Sequence, residues 1–196
     1  MPSTKDLEAT TLDLTGQYTM DPHSNDPDAL GKTIGLLGLT NPLAVGALMA
    51  SSNTLKINHY KDANGVEHIE LGQELANGVP GIDLKQSCIW KDQNYEDPLL
   101  GPIVMKTRRI AVDQLTDKKF LKGNWGTNED ALKHGVLEIS LASSAEKSGR
   151  TWVALATCGL EKTASGKRLA FVVRASGPKD AEVIDGTYHY NYAGPL

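Results

Sequence analysis

The chain has 196 residues, a formal net charge of −4 and a pI near 5.7. A single domain of that length buries about 70% of its unfolded surface, enough for a core and a cavity. The acidic balance and the shortness of the densest basic runs, Arg108-Arg109 and Lys118-Lys119, argue against a nucleic-acid footprint.

The opening residues MPSTKDLEATTLDL hold no apolar signal core, and no segment reaches the roughly 20 apolar residues that span a bilayer. A cytoplasmic location is therefore expected, and with it free, buried thiols at Cys88 and Cys158 rather than a bridge. Residues 1–11 read as a tail and residues 12–196 as the domain.

The first strand is LTGQYTM. Asp26 then offers an acceptor at a helix N-cap, and Pro27 takes the first helical position, where a missing N–H costs nothing. Leu30, Ile34, Leu36 and Leu37 form the apolar stripe of this helix, and Gly38 sits where a left-handed residue ends it. Asn41-Pro42 opens a second helix, PLAVGALMASS, which has no polar face over about ten residues. Such a helix is covered on both sides or faces a ligand, so it is expected to close the mouth of a barrel, with Met49 either touching a ligand or plugging the opening.

The order of strand, helical pair and alternating strand TLKINHY carries a resemblance. Gly16-Gln17-Tyr18-Thr19-Met20 followed by Asn25, the Leu37-Gly38-Leu39 junction and the apolar second helix resemble the opening of the intracellular fatty-acid-binding proteins. Those proteins are calycins, relatives of the lipocalins. The resemblance covers about the first sixty residues, and beyond them the strand rhythm. It implies a mainly β fold: one up-and-down antiparallel β-barrel of about ten strands, a short helix-turn-helix lid after strand one, and an internal ligand cavity. Two departures limit what it implies about the ligand. Asp26 and Pro27 stand where an aromatic follows Asn25 in that family, and GTYHYNY has no counterpart to the Arg-x-Tyr pair with which many members grip a carboxylate.

Beyond Tyr60 the segments HIELGQEL, GIDLKQSCIW, PIVMKTRRIAV, KKFLKGNW, HGVLEISLA, RTWVALATCGL, KRLAFVVRAS and AEVIDGTYHYNY read as strands separated by turn residues, giving ten with the first two. Longer loops are expected at residues 91–101 and 113–119, and one extra helical turn at residues 127–134. Between TLKINHY and HIELGQ, Asn64-Gly65 invites a two-residue turn, but that register scatters apolar residues over both faces. A three-residue loop Ala63-Asn64-Gly65 instead pairs Ile57 with Leu71 and His59 with Ile69, and places Leu55, Ile57, His59, Ile69 and Leu71 on one inner face.

The chemistry-bearing motifs are few. The five histidines show no metal-ligand spacing, and the glycines form no phosphate-binding loop, so neither a metal nor a cofactor is expected. What remains is polar and aromatic residues on faces of buried parity. Arg109 shares parity with Ile103 and Met105, and Glu138 shares it with Val136; each is an interior anchor for a ligand oxygen or, on the alternative parity, a solvent-facing group. Trp90 shares a face with Ile82, Leu84, Gln86 and Cys88, as core or cavity wall. Tyr188, Tyr190 and Tyr192 form a ladder that contacts ligand or braces closure. Candidate ligand contacts are thus Met49, His59, Trp90, Met105, Arg109, Tyr188 and Tyr190. Two functions follow: a carrier of a hydrophobic small molecule, or a cofactor-free cyclase or isomerase of a polyene, terpenoid or polyketide intermediate in natural-product biosynthesis, with His59, Arg109 and Tyr190 as candidate catalytic residues.

Overall fold

A computed structural model describes residues 10–23, 25–39, 41–49, 53–76, 80–115, 119–144, 152–163, 166–177 and 183–196. The strands are β1 Gly16–Met20, β2 Thr54–Lys61, β3 Glu67–Glu74, β4 Pro80–Ser87, β5 Gln93–Asp97, β6 Gly101–Ile110, β7 Val136–Ser143, β8 Val153–Thr163, β9 Gly166–Ser176 and β10 Val183–Gly194. Every neighbouring pair is antiparallel, in the order β4-β3-β2-β1-β10-β9-β8-β7-β6-β5. The barrel is nearly closed. Between its two edges, β4 and β5, side chains replace a ladder among the described residues. Asp97 Oδ2 accepts from the Asp83 N–H at 3.3 Å, Gln93 exchanges bonds with the Ser87 backbone, and the Tyr95 hydroxyl donates to the Lys85 carbonyl.

The lid follows β1. Helix α1, Pro27–Leu36, starts at Asp26, whose carboxylate accepts from the N–H groups of Asp28 and Ala29. It ends with Gly38 at φ 75°, where Leu39 N–H reaches back to the Ile34 carbonyl, the six-to-one closure of a left-handed C-terminus. Helix α2, Pro42–Met49, buries Ala44, and packs Ala47 and Leu48 against Ile34 and Leu75. Its other side is open: Leu43 is 76% and Met49 42% exposed. The expectation of a helix covered all round is therefore corrected, because one face is enough to seat eight residues. Ala50, Ser51 and Ser52 lie outside the described residues.

The count of ten strands stands, but two members differ. Of the expected strand KKFLKGNW, Lys118 lies outside the described residues and the rest is helical, as α3 Lys119–Lys122 and a 3-10 turn Gly123–Thr127, because Leu121 and Trp125, four residues apart, are both buried. The missing strand is β5, inside the expected loop 91–101. It is polar, and its hairpin is set by Asp97, whose Oδ1 accepts from Leu99 and Leu100 N–H. The extra helical turn is α4, Glu129–His134, capped by Asn128. The β2–β3 hairpin has the three-residue loop, with Gly65 at φ 79°, Ile57 opposite Leu71 and His59 opposite Ile69.

Two of the hydrophobic clusters lie on opposite faces of the wall. One lies inside the barrel around Tyr18, Ile57, Leu137, Leu160 and Leu169. The other lies outside it, where α3, α4 and the 3-10 turns of residues 112–134 pack Leu115, Trp125 and Ala131 on Val136, Ala170 and Val172 of the outer wall. Trp125 donates to Thr157 Oγ1 at 2.8 Å, and that hydroxyl donates on to the Leu121 carbonyl at 2.7 Å. Gly159 lets the indole lie against β8, since a Cβ there would stand 3.3 Å from the ring.

Candidate functional site

Strand alternation divides the side chains into those facing the lumen and those facing out. Ile139, Leu141, Ala154, Phe171, Val173 and Leu71 belong to the inner set, yet each is only half-buried, whereas Leu137, Cys158, Leu160 and Leu169, nearer the end remote from the lid, are buried. These six are thus the least covered apolar side chains of the inner set, although they pack against the buried clusters. At the lid end, Trp152 packs with Leu84, Ile103 and Met105, next to Leu36 and Leu37.

The tyrosine ladder points inward. Tyr188 OH lies 3.0 Å from Thr33 Oγ1 and so ties α1 to β10. Tyr190 is 7% exposed and meets Phe171 edge-on, with ring centroids 5.9 Å apart. Burial pushes its phenol well above the usual range, so it is present as an O–H donor. Tyr192 stands edge-on to Tyr18.

The end opposite the lid is a polar floor. His59 Nδ1 accepts from Leu14 N–H at 3.1 Å, which leaves the ring proton on Nε2, 2.7 Å from Glu67 Oε1. Arg109 donates through Nε to both Glu67 oxygens, at 3.0 and 3.1 Å, and through Nη2 to Glu67 again. Its remaining bonds go to the backbone carbonyls of His134, at 3.2 Å, and Thr11, at 2.7 Å. Burial opposes ionisation of Glu67, but the hydrogen bonds from His59 and Arg109, with the guanidinium charge, outweigh it and hold the carboxyl at about 2. The adjacent Cys88 thiol is pushed up to about 12 by burial and by the Glu67 charge. Thr11 is itself buried, and its N–H donates to Asp130 Oδ2 at 2.7 Å.

Of the residues singled out in the sequence, Met105, Tyr188, Tyr190, His59 and Arg109 face inward, but His59 and Arg109 stand in the floor, away from the tyrosines. Two candidates lie elsewhere. Met49 is on the exposed side of α2. Trp90 leaves the parity of its strand because its φ is 51°, and its ring lies outside under Lys106 and Arg108, with the guanidinium 4.3 Å from its centroid. Glu138 faces outward too, but it is fully covered, and Arg108 Nε holds it at 2.7 Å. Glu67 was not among the candidates, although its parity with Ile69 and Leu71 marks it as an inward acid. Gln86 and Thr107 are further inward polar groups, joined at 2.9 Å.

A second ion cluster lies on the outer face. Glu161 Oε2 meets Arg168 Nε and Nη2, each at 2.9 Å, and His189 Nε2 at 3.4 Å, and these partners hold its carboxyl at about 2 against burial. It borders an open cleft of about 530 Å³ with Thr127, Asn128, Glu129, Lys162 and Arg168. Both cysteines are free. Among the described residues, no group of three His, Cys, Asp or Glu is placed to hold a metal ion, and no helix is long and apolar enough to cross a membrane.

No protein-family model and no curated protein sequence matches the chain. Among solved structures, a mutant of the fluorescent protein UnaG is similar over 92% of this chain and 96% of its own, with a TM-score of 0.50 and 10% identity. With the strand order, the near closure and the helical pair after the first strand, that likeness identifies the fold: a ten-stranded antiparallel barrel with a helical lid, like that of the fatty-acid-binding proteins.

Proposed function

We propose that the protein binds a hydrophobic small molecule inside the barrel, beneath the lid. The observation that supports this most directly is the residual exposure of inward-pointing apolar side chains at mid-barrel, beside the Tyr190 hydroxyl, for which no partner occurs among the described residues. Apolar burial at roughly 25 cal/mol per Å² supplies the affinity, and a phenol fixes one ligand oxygen.

No observation favours the cyclase. His59 and Arg109, two of the three candidate catalytic residues, are engaged by protein groups.

Mass spectrometry of small molecules that co-purify with the protein, followed by titration of the recovered compound, tests the carrier reading. The compound should rebind and be recovered unchanged, and Tyr190→Phe should weaken it by about tenfold or less, the worth of one neutral hydrogen bond. Failure to displace an apolar dye from the folded protein by any hydrophobic compound would refute the reading.

A further inference from the structure

The floor of the lumen bears on which ligands fit. Arg109 is the one arginine that the described strands turn inward, and it is the cation an acidic ligand would need. Its Nε and Nη2 are committed to Glu67 and the Thr11 carbonyl, and Nη1 to the His134 carbonyl. Both side chains are largely removed from water, 19% exposed for Arg109 and 13% for Glu67. His59 supports the arrangement from the other side, fixed by Leu14 and by the Thr15 hydroxyl, which bonds its backbone. A carboxylate on the chain itself thus fills the guanidinium fork before any ligand arrives.

We propose that this lumen selects neutral apolar ligands and turns away carboxylic acids, with Glu67 as the specificity-determining residue acting through Arg109. The proposal rests on the reading of the lumen as the binding site. An incoming acid must displace Glu67, an intramolecular competitor held at high effective concentration, or lie ionised in the lumen without a counter-charge. An ester, ketone or alcohol of the same skeleton meets neither cost. Removing the Glu67 charge while keeping its shape frees the guanidinium fork and reverses the discrimination.

The test compares cis-parinaric acid with its methyl ester, titrated by fluorescence at pH 7.5 against wild type, E67Q and E67Q/R109M. Wild type should bind the ester about tenfold or more tightly than the acid. E67Q should tighten the acid by about tenfold or more with the ester nearly unchanged, and E67Q/R109M should return to the wild-type preference, because the gain belongs to the freed guanidinium. If E67Q does not fold alone, the acid and not the ester should restore its cooperative melt.

A wild type that binds acid and ester alike, or an E67Q protein with an unchanged ratio or with equal rescue by both or by neither, overturns the proposal and leaves the carrier reading standing. A folded wild type that binds neither probe, and releases no apolar dye to any competitor, removes the carrier reading and the proposal with it.

Discussion

Acidification should unfold the protein through two carboxyls on opposite faces of the wall, Glu67 inside and Glu161 outside. Each falls from an ordinary 4.5 to about 2 in the folded chain. Because the folded values lie below the unfolded ones, the unfolded chain takes up protons first as the pH drops. The stabilisation is complete above the unfolded value and is lost as the pH falls toward the folded one. At about 1.4 kcal/mol per pH unit, each carboxyl contributes on the order of 3 kcal/mol at neutral pH, and about 2 kcal/mol of that is gone by pH 3. Together they remove about 4 kcal/mol between pH 5 and pH 3, a large share of the roughly 5 to 15 kcal/mol of a typical domain. Urea titrations at pH 7, 5, 4 and 3 measure the loss, which at a slope of about 2 kcal/mol per molar should move the midpoint by about 2 M. Glu161→Gln should be less stable at pH 7 yet lose only about half as much on acidification. Parallel loss in the variant and the wild type, or a midpoint constant down to pH 3, would refute the assignment.

Trp125→Ala should cost about 3 to 5 kcal/mol, since it empties the outer core and leaves the Thr157 hydroxyl one partner short, and a thermal melt should fall by roughly 10 °C. A loss below about 1 kcal/mol would mean that the outer helices add little. Ligand binding should change tryptophan emission through Trp152, which packs on Met105 at the lid end, and not through Trp90, which lies outside under two cations, or Trp125. A response that survives Trp152→Phe and disappears in Trp90→Phe would place the ligand elsewhere.

Much of this fold was legible where local chemistry and burial agree. The Asp26-Pro27 cap, the Gly38 stop and the hairpin register at Gly65 each follow from residues within one turn, and each is present. Legibility failed where long-range pairing decides. β5 has one aromatic and four polar residues, so nothing in QNYED marks a strand until β6 lies beside it. KKFLKGNW alternates enough to look extended, and only its placement on the outer wall turns the Leu121–Trp125 spacing into a helical face. Trp90 shows the limit of parity arguments, because one residue at positive φ moves a ring from the inner to the outer side. Glu67 was readable in principle. Its position beside the hairpin loop hid it, as acids near a turn are ordinarily solvated, and parity with Ile69 was the signal that it is not.

The helical packing outside β7–β9 makes the barrel mechanically unequal around its circumference. In that sector the wall is sandwiched, with apolar side chains on both faces and Trp125 hydrogen-bonded to the strand beneath it. The sector from β2 to β5 is a single layer that ends in a seam held by side chains rather than by a ladder. Opening the seam breaks a few partly exposed bonds, whereas spreading the sandwiched strands would break a ladder and a core together. Breathing of the shell is therefore channelled to one side, and backbone amides of β8 should exchange with solvent far more slowly than those of β4 and β5.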